Sequence, residues 1–153
     1  MKQPLKRHIV LQPISREHHQ SLLLCWKIKK GLDKDVSITR ISAYLKAVWE
    51  SDIKPHFKKE EVYVFPILGA DHPLVGRALM EHEQLEILFD KKQYSRDELF
   101  EISSFLERHI RFEERTLFTE IQRVATKENW TLLAEQNQGE DCEMHWDDKF
   151  WAS

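Results

Sequence analysis

The sequence is poor in the residues that turn-rich folds depend on. Of 153 residues, four are glycine and five are proline. A β-sandwich uses many such residues in its turns, so an all-β fold is disfavoured and a Leu-, Glu- and Lys-rich helical one is expected. Only two cysteines occur, Cys25 and Cys142, far apart in the chain. They form no disulfide framework, which points to a reduced, cytoplasmic protein. No apolar run approaches the length that spans a bilayer, and the start MKQPLKRHIVLQP has no apolar core of signal-peptide type, so no membrane is expected as partner. Basic charge is not in excess either. The net charge is −3 with a pI near 6.2, and no basic patch stands out, which argues against nucleic acid. The length suits one domain with a real core.

What the chain does have is histidine and tryptophan, eight and five respectively. The histidines are not scattered. HFKKEEVYVF at 56–65 and HIRFEERTLF at 109–118 share a pattern: His, an apolar residue, a basic residue, Glu-Glu, then an apolar pair ending in Phe.

Four long segments carry a helical apolar period. The first is expected from Ser15, an N-cap after Pro13, to about Lys30, with Gly31 just past its end. The second runs from about Ser37 to Phe65, where Pro66 stops it. The third begins at the Asp71-His72-Pro73 turn, with Pro73 at the first helical position, and ends near Lys91. The fourth begins at Ser95, with Glu98 completing a capping box, and ends near Val124. Connections of roughly 4–8 residues suit antiparallel neighbours. The expected architecture is all-α: an up-down-up-down antiparallel four-helix bundle over 15–124, an N-terminal segment 1–14, and a C-terminal extension over 125–153. KENWTLLAEQNQ in that extension reads as a short helix. The aromatic end, DCEMHWDDKFWAS, is expected to pack on the bundle or on a partner, by self-association or otherwise. Pro55 lies inside the second segment. It either splits that helix or kinks it so as to aim His56 inward.

On helices, residues at i and i+4 share a face. Trp49, Ile53, His56, Glu60 and Val64 form one inward stripe, and Ile102, Leu106, His109, Glu113 and Leu117 form another. Val75, Ala78, His82 and Glu86 repeat the logic. The first helix offers His18 or His19, followed by Leu22, Leu23 and Trp26; the match of EHHQ to EHEQ at 81–84 favours His18. Several imidazoles and carboxylates in one core cost several kcal/mol each unless a cation sits among them. Histidine with bridging carboxylate suits iron, with zinc or manganese as other fits, and a dinuclear site accounts for the number of donors.

A lone His on the first helix, HFxxEE on the second, EH on the third and HIxxEE on the fourth resembles the hemerythrin-like (HHE cation-binding) family, over about residues 15–122. The resemblance implies a four-helix bundle with a non-haem di-iron centre, ligated by His18, His56, His82 and His109 and bridged by Glu60. It implies a second bridge at Glu113, as in the di-iron repair branch, or at Glu114, as in the oxygen carriers. Four residues after His109 keep the same face and five turn about 140° away, which favours Glu113. The carriers place a further histidine where this chain has Glu86, so reversible oxygen carriage is less expected here than in the classical carriers. Ferritin-like chemistry is disfavoured, because no histidine here has a glutamate three residues before it. Cys142-x-x-His145 is too little for a metal site, and His8, His19 and His72 are expected to be structural or exposed. The expectation is a binder or sensor of a diatomic gas or peroxide, rather than an enzyme. Repair of damaged iron–sulfur centres and metal storage are the alternatives.

Overall fold

The computed structural model describes residues 6–136 and 144–152. Among these the chain is all-helical, with no strand. The first helix, Gln12–Asp33, starts earlier than expected because Leu11 and Gln12 already bond back to the His8 carbonyl, and Pro13 fills the first turn. It also ends later. Gly31 is not a terminator but an interior, buried residue. A β-carbon there would lie 2.8 Å from the Phe150 ring and 3.0 Å from Ile41, so glycine is needed for close approach rather than for backbone freedom.

The second helix occupies residues 38–67 and does not split at Pro55. Its Ile38–Val48 portion widens into a π turn at Trp49–Ile53, resumes as Lys54–Lys59, widens again at Glu60–Val64 and tightens at Phe65–Ile67. The first wide turn lies just before Pro55, where a proline ring would otherwise strike the preceding turn of the helix. The third helix is Pro73–Phe89. Its N-cap is His72, whose Nδ1 accepts the Leu74 N–H at 3.1 Å. The fourth occupies 96–124, with the Ser95–Glu98 capping box formed in both directions and a π turn at Glu113–Leu117. A fifth, Lys127–Gln136, covers the Glu60–Val64 turn.

The expected stripes on the second and fourth helices are buried throughout. Two others depart. On the third helix the buried series is Val75, Ala78, His82, Leu85, Phe89, so the stripe steps from His82 by three residues and leaves Glu86 exposed. On the first helix the buried series is Ile14, His18, Ser21, Leu24 with Cys25, and Ile28. Leu22 and Trp26, expected inside, are 36% and 52% exposed. Burial also pushes the Cys25 thiol up to about 12, which keeps it protonated and inert.

The core has two apolar clusters. One contains Leu24, Ile28, Ile53, Phe57, Leu85, Leu106 and Phe150; the other contains Ile14, Val64, Ala78, Leu117 and Leu133. Between them, on each of the first four helices, lies one polar position: His18, the His56/Glu60 pair, His82, and the His109/Glu113 pair. The aromatic tail packs on the first cluster. Phe150 is 2% exposed, and Lys27 lies 3.8 Å over the Trp151 ring. Cys142 falls outside the described residues, and His145 is exposed.

Candidate metal centre

Each polar position is fixed by helical phase. His56 and Glu60, and likewise His109 and Glu113, stand one turn apart on the same face, with Nε2–carboxylate distances of 3.3 and 3.2 Å. Tertiary packing brings the four helices into register. His18 Nε2 lies 3.1 Å from Glu113 Oε1 and 3.5 Å from Glu60 Oε2. His82 Nε2 lies 3.2 Å from Glu60 Oε1 and 3.8 Å from Glu113 Oε2. None of these six residues is more than 3% exposed. Both wide turns on this level begin at the carboxylates themselves, Glu60 and Glu113, so the local departure from α-geometry coincides with the site.

The donor atoms form two overlapping groups. His18, His56, Glu60 and Glu113 offer one set within 4.8 Å of one another; Glu60, His82, His109 and Glu113 offer the other. The two carboxylates belong to both. Six of the atoms concerned are buried without a hydrogen-bond partner: Nε2 of His56, His82 and His109, both oxygens of Glu60, and Oε2 of Glu113. Orphaned buried atoms of this kind are costly in an ordinary core. Each group could hold a metal ion, and a cation there would satisfy the orphaned atoms.

The other imidazole nitrogens are all engaged, each by a carboxylate on another helix. His56 Nδ1 faces Glu17 Oε1 at 3.2 Å, His82 Nδ1 faces Glu61 Oε2 at 2.7 Å, His109 Nδ1 faces Glu81 Oε1 at 2.8 Å, and His18 Nδ1 faces Glu114 Oε1 at 2.8 Å. The pattern closes on itself: the first helix supports the second, the second the third, the third the fourth, and the fourth the first. Such partners fix the tautomer that leaves Nε2 free to ligate and raise the basicity of the ring.

Protons respond to the same crowding. Burial disfavours a charged His18, yet Glu113, Glu114 and Glu60 around it outweigh burial and hold it well above its usual value. His82 is held well above for the same reason, by Glu113, Glu60 and Glu61. His56 and His109 are raised too. Burial and the neighbouring Glu113 push Glu60 up, but the histidines prevail and bring it down to about 2. Glu113 is likewise held well below the carboxylate range. The layer attracts positive charge, whether protons or metal.

The sequence-derived candidates are thus sorted by position. His18, His56, Glu60, His82, His109 and Glu113 converge. His19 is exposed and takes no part. Glu86 is exposed because the third helix turns Leu85 inward instead, which corrects its inclusion among the candidates. Glu114 lies 2.8 Å from His18 Nδ1 and is not among the residues of the shared layer. Glu17, Glu61 and Glu81 were not anticipated as site residues. Their only signal was adjacency: each follows or precedes an inward residue, and one residue is a 100° turn toward a neighbouring helix.

A helical bundle with a buried histidine–carboxylate layer defines a cation-binding domain. The model of the hemerythrin HHE cation-binding domain matches residues 10–121, and the chain belongs to that family. Comparison with curated proteins and with solved structures gave no significant match.

Proposed function

We propose that this chain is a non-haem di-iron protein that binds or senses a small oxidant such as oxygen, nitric oxide or peroxide. The observation that carries the reading is the pair of buried donor groups sharing Glu60 and Glu113, with their facing atoms otherwise unsatisfied. His18 and His56 would hold one iron, His82 and His109 the other, and the two carboxylates would bridge. Bound iron supplies open coordination positions and a one-electron change of charge. The chain supplies a buried layer between two apolar clusters, imidazoles fixed by outer carboxylates, and a negative field that lowers the cost of burying cations. We further propose the up-down-up-down topology. It is supported by the order in which successive helices pass from one apolar cluster to the other: Ile14 to Leu24, Ile53 to Val64, Ala78 to Leu85, Leu106 to Leu117.

The test is elemental analysis and visible spectroscopy of protein produced with iron, before and after azide. About two irons per chain and a ligand-to-metal band that azide moves are expected. Fewer than one iron, with no band after oxidation, sinks the reading. A second reading, repair of damaged iron–sulfur centres, gains from the position of Glu113 four residues after His109, the spacing that resembles the repair branch. It is retired if the reduced iron-loaded protein leaves a nitrosylated iron–sulfur protein unrestored.

A further inference from the structure

The four outer carboxylates differ in what holds them. Glu17 is tied to Lys59 of the second helix at 3.0 Å, and Glu81 to Arg77 one turn before it at 3.2 Å. Glu61 is 41% exposed. Glu114 is held in part from outside the four helices. Arg7 Nη2 donates to Glu114 Oε2 at 2.9 Å and to its backbone oxygen at 2.5 Å, while Nη1 donates to Gln122 Oε1 at 3.0 Å. Ser15 Oγ donates to the same Glu114 Oε2 at 3.0 Å. The segment carrying Arg7 is anchored along its length. The His8 N–H donates to Gln122 Oε1 at 2.8 Å, Gln122 Nε2 donates to the Lys6 carbonyl at 3.0 Å, and His8 stacks on Trp130 at 3.8 Å. A second route leads to the same histidine: Arg7 lies 5.4 Å over the Phe118 ring, which in turn stacks on His18.

We propose that Arg7 is a positioning residue of the metal centre. It clamps Glu114 onto His18 Nδ1, and so makes the segment before the first helix a working part of the His18/His56 half of the site. The proposal rests on the two-metal reading above. Arg7 Nη2 holds both the Glu114 carboxylate and the Glu114 backbone oxygen while Nη1 holds Gln122 on the same helix, so the planar guanidinium ties the carboxylate to its own backbone across two anchor points, which the single nitrogen of a lysine does not. The carboxylate in turn fixes the imidazole ring. The two halves are therefore unequal: the outer shell of the His82/His109 half comes from the bundle helices alone. By reciprocity, metal in the first half must also tighten the segment.

Ferrous iron is loaded anaerobically into the full chain, and its release to a chromogenic chelator is followed for wild type, Arg7→Gln, Arg7→Lys and Arg96→Gln. Arg96, which pairs with Asp35 and the Leu32 carbonyl away from the layer, is the control. Loss of an outer partner of a metal-bound histidine weakens binding about 10–100-fold. In Arg7→Gln one equivalent of iron is expected to leave at least about tenfold faster, with the other within about twofold of wild type. Arg7→Lys, which keeps the charge without the fork, gives a smaller acceleration of the same equivalent and carries the test if the glutamine variant does not fold. Amide exchange of residues 6–12 in wild type is expected to slow on iron loading and to lose that response in Arg7→Gln. With two irons held by wild type, equal acceleration of both equivalents in Arg7→Gln, or release unchanged from wild type, overturns the clamp alone. A wild type that binds less than one iron overturns the metal reading and the clamp with it.

Discussion

Replacing Glu60 by glutamine keeps its volume and removes its charge. The side chain is fully buried and faces three histidines, at 3.5, 3.3 and 3.2 Å. A carboxyl brought from 4.5 down to about 2 is favoured in its charged form by roughly 3 kcal/mol, at 1.36 kcal/mol per pH unit. The cost of removing one partner from a buried ion pair, about 3–5 kcal/mol, agrees with that figure. The effect depends on pH in a defined way. Glu60 titrates lower in the folded chain, so its contribution is present above pH 4.5 and is lost as pH falls toward 2. The histidines titrate higher when folded, so theirs is present below pH 6.5 and is lost as pH rises through their folded values. Both operate together between those limits, and protein stripped by chelator at about pH 5.5 is the sample to use. There Glu60→Gln is expected to lower unfolding free energy in urea by about 3 kcal/mol, or Tm by about 6–12 °C for a chain of this size. A variant as stable as wild type at that pH would refute the claim that the folded layer is held by charge.

Three further outcomes follow from the same geometry. Because the four histidines carry raised values, metal must displace protons to reach Nε2; loading in weak buffer should acidify the solution, and metal retention should fall as pH drops through 7 to 5, read by equilibrium dialysis. Glu86→Gln should leave metal content within error of wild type, whereas Glu113→Gln should lower it by about one equivalent or more, measured by elemental analysis. Gly31→Ala, which would gain about 1 kcal/mol in a free helix, should instead cost about 1–3 kcal/mol by driving the new methyl into Phe150, and thermal unfolding should show that loss relieved in a Phe150→Ala background.

Much of this molecule is set by short-range pattern. The capping box at Ser95 and Glu98, Pro73 at a helix start, and the two inward series through His56–Glu60 and His109–Glu113 depend on residues within one or two turns of each other, so their placement is readable from spacing. Phase drift explains the misreadings. His82 could be continued inward by three residues or by four, and only packing against the fourth helix selects Leu85 over Glu86. Gly31 has the appearance of a helix end in sequence, but its meaning comes from Phe150, more than a hundred residues later.

The sequence by itself determined that the chain is helical and that His56, Glu60, His82, His109 and Glu113 lie at inward phases, with His18 or His19 facing them, because helical periodicity is a local property of the backbone. Only the tertiary structure decided which atoms of those residues meet. It set the sharing of Glu60 and Glu113 between two donor groups, the circuit of Glu17, Glu61, Glu81 and Glu114 on the far nitrogens, and the grip of Arg7 on Glu114. Each of these contacts joins side chains on different segments, and the side-chain pattern of one helix says nothing about the rotation and height of the next.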